Sequence, residues 1–101
     1  MPTPSGLSRS FEALPGGDLV RQGLEDLRLG VESAPALLVQ MFAPRLRRLA
    51  LDVPEVDPRR EMPGHRLYAL LKRSHGDAAH GRYNALVRRL VSFARAAECA
   101  S

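Results

Sequence analysis

Two histidines and an aspartate fall within six residues, at His75, Asp77 and His80, with Arg73 and Arg82 on either side. Imidazole and carboxylate groups are the usual material of metal sites and of general acid–base chemistry near neutral pH. Their spacing argues against both. Histidines five apart do not share a helix face as an i, i+4 pair does, and Asp77 is better placed to cap a helix, with His80 at its third position. His80 is therefore expected to be a half-buried structural residue. A dimeric His-dependent nuclease using Arg73 or Arg82 beside His75 or His80 is a further alternative, although the motif of such enzymes is absent.

Other chemistries find less support. Gly16-Gly17 is followed by neither the spacing nor the Lys and Ser of a phosphate-binding loop, and no serine has a neighbouring histidine. Cys99 is the single cysteine and has no basic environment in sequence, so neither an intramolecular disulfide nor an activated thiol is expected. No cofactor, metal or small-molecule substrate is expected, and the chain reads as non-enzymatic.

Cations are the more prominent feature. Fourteen of the fifteen basic residues are arginine, Lys72 being the exception. Residues 1–44 carry three arginines against five acids, whereas residues 45–101 carry twelve cations against six, so the net charge of +4 belongs to the second half. Guanidinium forks match phosphate geometry, although a GC-rich coding sequence also enriches Arg, Ala, Gly and Pro together. Arg45, Arg47, Arg48, Arg88 and Arg95 form the candidate nucleic-acid set, with Arg59 and Arg60 beyond them. Against it, the last helix splits its arginines between two flanks, Arg88 with Arg95 and Arg82 with Arg89.

These side chains need elements to position them, and the elements read as helices throughout. Hydrophobic residues make up 45% of the chain with only five aromatics among them, as expected of a Leu/Val/Ala core. The expected fold is all-α, a compact bundle of four to five helices in one domain over residues 17–101. A mobile arm precedes it at 1–16, where Phe11 and Leu14 can anchor, and a proline-rich solvated connection spans 52–63.

The first helix is expected from about Asp18 to Leu29, with Val20, Leu24, Leu27 and Val31 on one face and Gly30 as its stop. A second begins after Ser33 as N-cap with Pro35 in its first turn, and is apolar nearly all round from Leu37 to Phe42. Such a segment belongs at the centre of the fold or at a subunit contact. Pro44 should break or kink it near Ala43. From Gly64 to Glu98 two amphipathic helices meet at His75-Gly76-Asp77. The first buries Leu67, Leu70 and Leu71. The second buries Ala79, Tyr83, Leu86, Val87, Leu90, Ala94 and Ala97, with Val91 and Phe93 at the margins of its face. Polar residues on both sides of Gly76 argue against a helix-turn-helix and for a plain helical corner.

The expected function is a protein-interaction module, self-associating as a homodimer or binding another protein through Leu37, Met41, Phe42, Leu90, Val91, Phe93 and Ala97. Nucleic acid is the alternative partner. With no basic and apolar leader pattern and no span near ~20 apolar residues, a soluble cytoplasmic protein without membrane contact is expected.

Overall fold

The computed structural model describes residues 11–55 and 60–100, except the side chain of Ala100. Most of the expected arm, residues 1–10, and part of the proline-rich connection, residues 56–59, lie outside the described residues. The fold is all-α. The helices are α1 (Gly17–Arg28), α2 (Ala34–Met41), α3 (Ala43–Arg48), α4 (Pro63–His75) and α5 (Ala79–Ala100), with 3-10 turns at Phe11–Ala13 and Gly76–Ala78. No strand occurs among the described residues.

Helix α2 is the centre. It packs against α1, α4 and α5 and runs into α3, and Ala36, Leu37, Leu38 and Val39 are wholly buried. A helix this apolar has no face to give to water, so the bundle closes round it. Ser33 starts it as the sequence predicts: its Oγ accepts from the Ala36 N–H at 3.2 Å and donates to Asp26 Oδ2 at 2.6 Å. One hydroxyl thus caps α2 and ties it to α1. The two helices approach closely because Gly23 lacks a side chain; a Cβ there would stand 2.4 Å from the Pro35 carbonyl oxygen and 2.5 Å from Val39 Cγ2.

The break expected at Pro44 is present one residue earlier than Ala43. Phe42 leaves helical geometry at φ −100° and ψ 11°, and α3 restarts with Pro44 in its first turn, where the missing N–H is harmless.

Helices α1 and α3 end alike. Gly30, at φ +73°, donates to Leu27 O while Val31 donates to Asp26 O. Ala50, at φ +68°, donates to Arg47 O while Leu51 donates to Leu46 O. Both are Schellman ends, with a left-handed residue just past the helix. Gly30 stops α1 as expected, so Val31 falls beyond the helix and is 48% exposed instead of joining the buried stripe.

Helix α5 is turned further toward Phe93 than its periodicity suggests. Phe93 is wholly buried, not marginal, because the 3-10 turn at Phe11–Ala13 covers that side; the Phe11 and Phe93 rings meet edge to face at 5.9 Å. Phe11 thereby anchors the start of the described chain. Gly16 allows the approach, since a Cβ there would lie 2.7 Å from the Arg89 carbonyl oxygen, and Asp18 on α1 accepts from Arg89 Nη2 at 3.0 Å.

No helix among the described residues is long and apolar enough to cross a membrane.

Candidate functional site

Burial first removes much of the expected contact surface. Leu37, Leu90, Phe93 and Ala97 are wholly enclosed in the core of the chain itself, so they are not available to a partner. The bundle spends them internally because α2 is covered on several sides. Met41, Phe42 and Val91 keep partial exposure.

The arginines of two helices then come together. Helix α3 buries Ala43 and Leu46, which turns Arg45 and Arg48, three apart, toward one flank. On α5 the spacing of Arg88, Val91, Arg95 and Glu98 places these four on a single stripe, with about 10 Å of rise between the two arginines. The two surfaces meet at Glu98. Arg45 Nε donates to Glu98 Oε2 at 2.9 Å and Arg45 Nη2 to Oε1 at 3.1 Å, a two-point fork of the kind arginine makes with carboxylate or phosphate. These hydrogen bonds hold the Glu98 carboxyl below its ordinary range; partial desolvation opposes them, and the charges of Arg45, Arg48 and Arg95 add to them. Glu98 in turn holds Arg45 more firmly protonated. Three guanidinium groups therefore act on one carboxylate.

Arg47 does not belong with them. Its position sends it to the other side of α3, where Nη2 donates to Val53 O at 2.9 Å and to Pro54 O at 3.4 Å, with Glu55 at 3.8 Å. It fastens the first residues of the proline-rich connection, and Leu51 and Val53 are buried there, so this connection is less solvated at its start than its composition suggests. Arg88 is exposed and borders an open depression of about 390 Å³ with Pro15, Gly16, Ala85, Arg89 and Ser92.

Glu98 escapes a search for cations. Its one signal in the sequence is position: a carboxylate in the last turn of a helix sits at the negative end of the macrodipole and needs a cation to hold it. Glu32 is similar. It accepts from Arg60 Nη2 at 3.0 Å and contacts Arg66, whose side chain is only 8% exposed, so the connection and α4 are pinned to the α1–α2 loop.

At the hinge, Gly76 adopts φ +56° and ψ −121°, a backbone state that only glycine enters freely. The 3-10 turn takes up residues 76–78 and α5 begins at Ala79; Asp77 therefore lies inside the turn and is not the N-cap. His80 is exposed rather than half-buried, because Ala79 takes the inward position. Its Nε2 hydrogen-bonds with Asn84 Nδ2 at 3.2 Å, and its ring lies edge-on to Tyr68 at 6.5 Å. His75 and Arg82 border a separate depression of about 280 Å³ with Ala34, Leu71, Ala85 and Leu86. No group of three His, Cys, Asp or Glu among the described residues is arranged to hold a metal ion, and Cys99 is exposed.

Comparison with protein-family models, with curated proteins and with solved structures gives no match for this chain.

Proposed function

We propose that this chain is a non-enzymatic helical module that binds nucleic acid through its phosphate backbone, using Arg45 and Arg48 of α3 with Arg88 and Arg95 of α5. The observation that carries this reading is the meeting of α3 and α5 arginines around Glu98, half the chain apart in sequence. Phosphate contacts need fixed cations on a common surface more than they need any motif. Val91 on the same stripe gives that surface an apolar element, and no base-reading set accompanies it, so the expected binding is indifferent to sequence.

Fluorescence anisotropy with a labelled random-sequence oligonucleotide tests it. Binding at low salt should weaken with a log–log salt slope of about −3 to −4, as expected for roughly four phosphate contacts. Alanine at Arg45, Arg48, Arg88 and Arg95 together should abolish it. No binding by the parent at ~50 mM salt overturns the reading.

A second reading, self-association, is favoured by Leu29, Val31 and Met62, which are 69%, 48% and 68% exposed. Large apolar side chains left in water are the usual material of a contact between copies. Light scattering that gives a monomer mass at high protein concentration eliminates it.

A further inference from the structure

We infer that the seat now held by the Glu98 carboxylate is a phosphate subsite, and that Glu98 is an internal competitor which a nucleic-acid phosphate must displace. This rests on the nucleic-acid reading above and adds to it the residue that sets its threshold.

Three features of the seat support it. First, its geometry is that of an anion site: Arg45 grips Glu98 through Nε and Nη2, two parallel donors to two oxygens, and two non-bridging oxygens of a phosphodiester present the same pair of acceptors. Second, the surroundings are cationic. Arg48 follows Arg45 by one turn on the flank of α3, and Arg95 precedes Glu98 by one turn on the stripe of α5, so an incoming phosphate meets further cations beside the fork. Third, the occupant can leave and the ligand can enter. Glu98 stands in the last turn of α5, the end at which helices fray and at which the macrodipole disfavours a carboxylate, and the Arg45 and Glu98 side chains remain 30% and 44% exposed.

The chemistry is an exchange without covalent steps. The carboxylate releases the guanidinium fork, a backbone phosphate takes its place, and Glu98 swings into solvent. While seated, Glu98 cancels one of the cations available to a polyanion. Weak anions fail to displace it, whereas a strand that already contacts Arg88 and Arg95 delivers a phosphate at high local concentration.

Glu98→Gln tests this by removing the charge at nearly constant shape. At ~50 mM salt the variant should bind the labelled random-sequence oligonucleotide about fivefold to tenfold more tightly than the parent, with a salt slope steeper by about one, because no displaced carboxylate takes up a cation when the phosphate is seated. Arg45→Ala should erase that gain in the double variant. Salt-dependent binding by the parent with no gain in Glu98→Gln overturns the subsite and leaves the nucleic-acid reading standing. No binding by either protein overturns both. Should Glu98→Gln fail to fold, the Arg45 Nε–H resonance of the parent reports instead: it should shift on titration with the oligonucleotide, and an unmoved resonance under saturating oligonucleotide overturns the subsite. Inorganic phosphate is the remaining arm. Saturation by free phosphate as tight as that by the oligonucleotide would make the seat a site for the small anion and overturn displacement by nucleic acid.

Discussion

Arg45 and Glu98, 53 residues apart in the chain, are joined by two hydrogen bonds of 2.9 and 3.1 Å, and this one pair couples the short helix α3 to the last turn of α5. Its behaviour with pH is determined by sign. The hydrogen bonds from Arg45 lower the Glu98 pKa in the folded chain, so the pair stabilises the fold above the unfolded-state value of about 4.3, and that contribution is lost as pH falls through the lower folded value. The stability difference between the parent and Glu98→Gln should be constant from about pH 8 to pH 5 and shrink below about pH 4. Denaturation midpoints across this range measure it, and a difference indifferent to pH would show that the pair does not persist in solution.

Arg47 lies two residues from Arg45 and should answer differently. Its guanidinium fastens Val53 and Pro54 by their carbonyls, so Arg47→Ala is expected to cost about 1 kcal/mol of stability. Oligonucleotide affinity should stay within about twofold of the parent, one surface charge removed from the seat being largely screened. Urea unfolding and anisotropy on the same variant separate the two roles; a loss of affinity as large as that of Arg45→Ala would return Arg47 to the binding set.

Gly23 and Gly81 both sit in helices, yet replacing each by alanine should have opposite effects. At Gly23 a Cβ would meet the Pro35 carbonyl and Val39 at 2.4 and 2.5 Å, and prising α1 from α2 should cost about 2 kcal/mol. At Gly81 a Cβ meets nothing within 4 Å, so Gly81→Ala should stabilise by about 0.5 to 1 kcal/mol through reduced freedom of the unfolded chain. Urea denaturation of the two variants gives both values.

Ala50 carries left-handed strain at φ +68°, a conformation that costs an L-residue about 1 to 2 kcal/mol and a glycine little. Ala50→Gly should therefore stabilise by about 0.5 kcal/mol or more after the added flexibility of the unfolded chain is counted. A lower melting temperature for Ala50→Gly than for the parent would contradict the Schellman end of α3.

Much of the helix punctuation is legible in the sequence. Ser33 caps α2, Gly30 ends α1, Gly76 turns the chain between α4 and α5, and Pro44 enforces the break before α3, because each is decided by backbone geometry and hydrogen bonds within a turn or so. Burial by periodicity was legible to about one side chain's width. It put Phe93 at a margin, and the cover supplied by Phe11 from the other end of the chain made it central. The end of α3 at Ala50 escaped notice, since the residue that usually signals such a turn is glycine.

The sequence by itself determined that the chain is helical, that α1 stops at Gly30 and α2 starts after Ser33, and that its positive charge lies in the second half. Only the tertiary structure decided that Leu37, Leu90, Phe93 and Ala97 serve the chain's own core, that Arg47 is a structural tie, and that Arg45 of α3 meets Glu98 of α5. The reason is physical. Helix formation is governed by residues within four positions of one another, whereas the rotation of one helix against another is set by how all the apolar faces fill space together, and that rotation alone determines which carboxylate an arginine 53 residues away will meet.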